Sequence, residues 1–227
     1  MDIASGQATA DIPTQVKNQA LVQRRRRQIV DAAVELFIQN GFHKTTTRQI
    51  AKAAGFSIGS LYEYVASKED ILYLVCDAIH AEMERGMADA MQRVEGPGNA
   101  LAEVIRAYLM VCDRMRDPIL LIYQETQSLP HKWRKVVLAN EVRITGLFTR
   151  ALSQLMAAGE IPLLSEAAMD LIAHNIAVIG HMWTFRRWFL ACHYTIEDYI
   201  RHQTAFILTM CHTQEPAPAA IAARGNG

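Results

Sequence analysis

Between Thr45 and Lys68 the chain gathers residues suited to non-covalent contact with a phosphodiester backbone and with base edges. Arg48 and Lys52 stand four apart, so a helix carries both charges on one face, toward the same strand. Gly59 and Ser60 are small enough to let the backbone approach a groove, and Ser57 just ahead of them is a helix-capping type. Tyr62 and Tyr64 offer hydroxyls at phosphate reach. Lys68 opens a further helix, where its charge and the free first-turn amides together suit an anion. A run of four arginines, Arg24 to Arg27, lies just upstream.

The elements that must position these groups are legible in the punctuation. An apolar stripe of Ile29, Ala32, Ala33, Leu36 and Phe37 predicts a first helix over about 22–39, stopped at Asn40-Gly41. Thr46 with Gln49 three residues on predicts a capping box for a second helix that ends at Gly55. Ser57 caps a third helix through Tyr64, and Ser67 caps a fourth with Glu69 and Asp70 in its first turn. Ile58, Leu61 and Val65 face the partner helix, which answers with Ile50, Ala51 and Ala54, while Phe56 plugs the turn. Two short helices joined by such a turn form a helix-turn-helix, whose second helix reads DNA. The alternative, an internally packed hairpin with ordinary surface charge, does not account for the arginine run and the capped pair together.

Bulk charge is deceptive here. The formal net charge is zero, yet residues 12–62 hold eight Lys or Arg against two acids, Asp31 and Glu35. That surplus concentrates a positive footprint on one segment of a neutral chain. Cys76, Cys112, Cys192 and Cys211 are far apart without a CxxC pair, which predicts buried thiols in a reducing compartment. No secretory signal is visible, and the apolar runs near 171–179 and 206–210 are interrupted well short of a membrane span. The expectation is a cytoplasmic protein without a membrane segment. No nucleophile–base spacing, Gly-rich phosphate loop or HExxH motif appears, so no enzyme, metal or cofactor is expected.

Beyond the fourth helix, read as 68 to about 94 and closed by Gly96–Asn99, the pattern stays helical. Breaks fall at Asp117-Pro118, Leu129-Pro130, Gly159–Pro162 and His193-Tyr194. No alternation lasts long enough for a sheet, so the fold class is all-α. Residues 1–19 read as a loose arm, and the Ala-, Pro- and Gly-rich tail 213–227 as disordered.

The stretch Gly41 to Leu72, GFHKTTTRQIAKAAGFSIGSLYEYVASKEDIL, resembles the DNA-binding domain of the TetR family of one-component transcriptional regulators. Gly41, Thr46, Ile50, Ala51, Ala54, Gly55, Ser57, Gly59, Leu61, Tyr62, Tyr64, Lys68 and Leu72 fall in that family's register, over about 28–75. The resemblance implies that Arg48, Ser60, Tyr62, Tyr64 and Lys68 face DNA. It implies about nine helices, with a DNA-binding domain at 21–67 and an effector-binding and dimerisation domain at 68–212. It also implies a homodimer built largely on the last two long helices. Thr47 stands where the family usually has an apolar residue, and Val65 where a phenylalanine is common.

In the second domain, polar and aromatic residues concentrate at Ile122–Thr126 with Trp133, and at 173–188. On a helix His174, Val178, His181, Phe185 and Trp188 share one face, with Asn175, Ile179, Met182 and Arg186 beside it. His174 and His181 are two turns apart, about 10 Å, too far to share an ion in ordinary rotamers even with Glu125 as a third ligand. The segment reads either as an interface helix satisfied across a two-fold seam or as a wall of a ligand cavity. The ligand candidates are Tyr123, Glu125, Trp133, Asn175, His181, Trp183 and Arg186. Arg186 and Arg187 between Trp183 and Trp188, with Thr195–Ile200 after them, resemble a branch of the family linked to fatty-acid or acyl-CoA metabolism. The helix over about 195–210 has Ile196, Tyr199, Ile200, Phe206, Ile207 and Met210 on one side, apt for half of an intermolecular four-helix bundle.

The expectation is a repressor that binds a palindromic operator as a homodimer and leaves it when a small hydrophobic effector, with acyl-CoA as the candidate, binds. The alternatives are a xenobiotic-responsive repressor of an efflux gene, favoured by an acid in the cavity, and an architectural DNA-binding protein without an effector.

Overall fold

The computed structural model describes residues 12–14, 16–92 and 100–212. The expected closure at Gly96–Asn99, the tail 213–227 and most of the expected arm lie outside the described residues. Ten α-helices follow one another: α1 Gln19–Asn40, α2 Thr47–Ala53, α3 Ile58–Tyr62, α4 Lys68–Gln92, α5 Ala100–Arg114, α6 Arg116–Glu125, α7 His131–Ala157, α8 Glu166–Phe185, α9 Arg187–His193 and α10 Ile196–His212. A 3₁₀ turn at Thr126–Ser128 joins α6 to α7. The fold is all-α, and no strand occurs among the described residues.

Local chemistry explains the boundaries. Gly41 ends α1 at φ 79°, a conformation that glycine takes without steric cost, and its amide bonds Phe37 O. The capping box of α2 is formed as the spacing predicts: Thr46 Oγ1 accepts from Gln49 N at 3.3 Å, and Thr46 N donates to Gln49 Oε1 at 2.8 Å. Ser57 Oγ accepts from Ser60 N at 3.0 Å to start α3. Ser67 Oγ accepts from Asp70 N at 3.0 Å to start α4. Pro118 does not break a helix but lies in the first turn of α6, where its missing N–H costs nothing.

Ten helices among the described residues agree with the expected number of about nine; the backbone leaves the helical region at Arg186 (φ −102°, ψ 16°) and separates α8 from α9. One expectation is corrected. The described part of the arm is docked, not loose. Ile12 is buried, and Thr14 Oγ1 donates to Glu63 O at 2.8 Å.

Helix α4 joins everything. Its first half packs on α1, and along its length it meets α5, α6 and α7. Val22, Ile29, Ala33, Phe37, Ile50, Leu61 and Val65 form the N-terminal core, with Val65 fully enclosed despite its small size. In the body, Val104, Tyr108, Val137, Phe148, Ala173 and Ile176 are buried between α5, α7 and α8. Full burial of each large aliphatic or aromatic side chain stabilises by about 1.5–3 kcal/mol. Among the described residues no helix is long and apolar enough to cross a membrane.

Candidate nucleic-acid interface and effector cavity

The second and third helices present the contact face. Leu61 is buried against α2, so its neighbours on α3 point away from the core. Arg48 and Lys52 are exposed on α2, and Ser57 and Gly59 are exposed at the start of α3, with Ser60 half-buried. A Cβ at Gly59 would meet only Ser57 Oγ, at 3.9 Å, so its outer side is open. Tyr62 is exposed, and its hydroxyl lies 3.1 Å from Thr47 Oγ1. Thr47, a departure from the family pattern, therefore steers the phenol across the two helices.

Two expected contact groups sit elsewhere, and one arginine of the upstream run is turned inward. Tyr64 is buried and packs edge-on to Phe56, with ring centroids 6.1 Å apart, because α3 ends at Tyr62 and the chain turns inward. Lys68 Nζ donates to the carbonyls of Phe42 at 2.9 Å and Thr45 at 3.0 Å and lies over the Phe42 ring. Its ammonium thus closes the loop between α1 and α2 instead of projecting outward. Arg26, in the middle of the arginine run, is buried; its Nε donates to Tyr64 O at 3.0 Å and its Nη2 to Ile12 O at 2.8 Å. Burial lowers its pKa, with the Asp70 and Tyr73 charges opposing that shift. Helical rotation of 100° per residue spreads the four arginines around α1, so the run is not one patch. Arg25 covers Phe56, whereas Arg24 is exposed.

A small cavity of about 30 Å³ lies in the body between α4, α5, α6, α7 and α8. Apolar walls come from Met83, Ile119, Ile122 and Ile144, and polar groups from His80, Glu141 and His181. Tyr123, largely exposed, stands beside it with His181 and Phe185 edge-on to its ring, at 5.7 and 4.6 Å. His80 is buried, its Nε2 lying 3.9 Å from Glu141 Oε1. The neighbouring His80 imidazole lowers the Glu141 pKa against the penalty of burial. Burial lowers the pKa of His181, while Glu141 raises it and His80 lowers it further. One turn either side, Asn140 donates to Asp77 at 3.3 Å and Arg143 pairs with Glu84, so α4 and α7 are joined by a polar ladder.

Of the seven ligand candidates, Tyr123 and His181 line this cavity and five do not. Glu125 accepts from Ser128 Oγ at 2.9 Å and lies 3.6 Å from His43, beneath the N-terminal unit. Trp133 is buried, stacked on Tyr73 at 4.0 Å and donating to Asp70. Trp183 is buried, donating to Asp113 at 2.8 Å, with Arg187 paired to the same carboxylate. Arg186 is exposed over the Trp188 ring. Asn175 lines a separate apolar groove between α8 and α10 with Val178, Met182, Phe206 and Met210. Sequence reasoning missed His80 and Glu141. The available signal was a histidine in the otherwise apolar inner face of α4, which only becomes meaningful once α7 is placed beside it.

The arrangement defines a helix-turn-helix protein whose reading unit is fused to a cavity-bearing helical body. Residues 29–73 match the family described as bacterial regulatory proteins, tetR family. That stretch is a DNA-binding domain of the TetR family of transcription regulators. Over 200 residues it is 28% identical to the HTH-type transcriptional regulator HbdR of Aromatoleum sp. (strain CIB), covering 88% of this chain and 85% of that one. A bacterial regulatory protein of the tetR family from Rhodococcus RHA1 shares the fold with a TM-score of 0.71 at 22% identity, over 85% of this chain and 99% of that one. AibR, solved with isovaleryl coenzyme A and operator DNA, aligns with a TM-score of 0.66 at 20% identity, over 80% of this chain and 97% of that one.

Proposed function

We propose that the chain is a ligand-responsive repressor that binds a palindromic operator as a homodimer and is released by a small hydrophobic effector. Residues 21–67 read DNA, and 68–212 bind the effector and dimerise. The observation that carries this reading is α4. The same helix supplies His80 to the cavity wall and, at its first residue, Lys68 to the loop beneath α2. An effector that binds one setting of α4 better than another shifts the DNA-binding population by that difference and no more.

The groove between α8 and α10, with Val178 and Phe206 exposed along it, suits the self-complementary face of a two-fold dimer. Two reading helices about one turn of DNA apart, roughly 34–36 Å, then meet two half-sites. Arg48, Ser57, Gly59, Ser60 and Tyr62 are the proposed DNA contacts. Tyr123 and His181, with His80 and Glu141 added, are the proposed effector contacts.

An acyl-CoA head held by Arg186 and Arg187 is not supported, since neither lines the cavity. Glu141 in the wall favours the second reading, a repressor responsive to xenobiotics. The test is fluorescence anisotropy on DNA from immediately upstream of the chain's own gene, at fixed salt. Tyr62→Phe, which removes one neutral hydroxyl contact, should weaken operator and non-specific DNA together by an amount equivalent to about 0.5–1.5 kcal/mol. Unchanged binding to both would remove Tyr62 from the interface.

A further inference from the structure

The helix α3 spans only five residues, Ile58–Tyr62. An isolated helix needs about 12–15 residues to persist in water, so contacts from outside must fix this one in place. Ser57 caps its start, and Leu61 anchors its inner side. Its far end is held by residues distant in sequence. Thr14 Oγ1 donates to Glu63 O at 2.8 Å, and Arg26 Nε donates to Tyr64 O at 3.0 Å. These are the first two carbonyls past the helix, where a helix end leaves acceptors in need of partners. Arg26 Nη2 also donates to Ile12 O at 2.8 Å, so one guanidinium bridges residue 12 and the end of α3. Arg26 is 7% exposed and Ile12 1% exposed, which makes this a packed joint and not a surface contact. The strap at 12–14 lies ahead of the matched family domain, which begins at residue 29.

We propose that Ile12, Thr14 and Arg26 are positioning residues for sequence selectivity, setting the angle of α3 in the DNA groove without touching DNA. This rests on the reading of α3 as the helix that meets base edges. Base edges are read through hydrogen bonds whose geometry tolerates little displacement, so a loosened α3 loses discrimination first. Phosphate contacts behave differently. Arg48 and Lys52 belong to α2, which has its own capping box at Thr46 and Gln49. Sequence-independent binding through those charges survives a shift of α3. The strap therefore acts on the ratio of specific to non-specific affinity, not on affinity for DNA at large.

The experiment compares the full-length protein with the double variant Ile12→Ala, Thr14→Val, which leaves the helix-turn-helix sequence intact. Fluorescence anisotropy at fixed salt reads two duplexes: one that the wild-type protein selects from a random-sequence pool, and a scrambled control. The variant should lose about fivefold on the selected duplex, the scale of the hydrogen bond removed, and stay within about twofold on the control. Thr14→Ser, which keeps the hydroxyl, should retain wild-type selectivity. Arg26→Met, once circular dichroism shows it folded, should lose selectivity in the same direction and further. Hydrogen–deuterium exchange without DNA should speed up over 58–65 in the double variant and not over 47–53. Equal losses on both duplexes, unchanged selectivity, or unchanged exchange over 58–65 overturns the proposal. A pool from which the wild type selects nothing fails the regulator reading itself. That failure is recognisable because exchange over 58–65, read without DNA, still responds to the variant.

Discussion

The indole N–H of Trp133 donates to Asp70 Oδ1 at 2.9 Å, while Asp70 Oδ2 accepts from the Ala66 amide at 3.1 Å. One buried carboxylate thereby ties the start of α7 to the first turn of α4 and to the loop leaving α3. This is why Trp133 does not serve the cavity: its polar edge is committed to the joint between the reading unit and the body.

Trp133→Phe should keep the stack on Tyr73 and delete the donor. Hydrogen bonds to charged groups are worth about 1.5–3 kcal/mol, so the unfolding midpoint should fall by several degrees. Thermal unfolding followed by circular dichroism checks it, and an unchanged midpoint would mean that the bond contributes nothing.

Lys68→Met should weaken operator binding by loosening the loop at Phe42–Thr45, not by losing a phosphate contact. Affinity and thermal stability should therefore drop together, while the slope of log affinity against log salt stays put. Lys68→Gln, still able to donate to a carbonyl, should recover part of both. A slope reduced by about one phosphate's worth would instead place Lys68 on the DNA.

At Gly180 α8 crosses α5 so closely that an added Cβ would approach Cys112 Sγ to 2.8 Å and press into the Tyr108 ring. Gly180→Ala should cost about 1–3 kcal/mol through overpacking in spite of alanine's better helix propensity. Urea unfolding measures this, and a stabilised variant would show that α5 yields freely.

His181 has a pKa lowered from 6.5, first by burial. The unfolded chain therefore takes up a proton before the folded one as pH falls. The stability linked to this group is complete above about pH 6.5 and declines as pH drops toward the folded value. His181→Leu should flatten the fall in stability below about pH 6.5. Glu141, with its pKa lowered from 4.5, keeps its contribution above that value and loses it as pH falls below it. An equal slope in wild type and variant would exclude His181 as the source.

How far the sequence could be read depended on the range of the interaction. Capping pairs such as Thr46 with Gln49 and stops such as Gly41 act within a few residues, so the reading unit was legible almost residue by residue. Within the arginine run the helix turns Arg26 inward to bond Tyr64 O and Ile12 O, which adjacency along the chain does not reveal. Trp183 and Trp133 drew attention as cavity residues because large aromatics with one polar edge suit either role. Their partners, Asp113 and Asp70, lie 70 and 63 positions away.

By itself, the sequence determined an all-helical chain, its principal breaks and a helix-turn-helix of the TetR family, because periodicity, caps and turns are local physics. The tertiary structure decided which polar side chains share a cavity. His80 on α4, Glu141 on α7 and His181 on α8 come together only when three helices cross, and no spacing along the chain encodes that crossing. It also decided which charges are free to meet a partner, since burial had already committed Lys68 to backbone carbonyls and Tyr64 to the core.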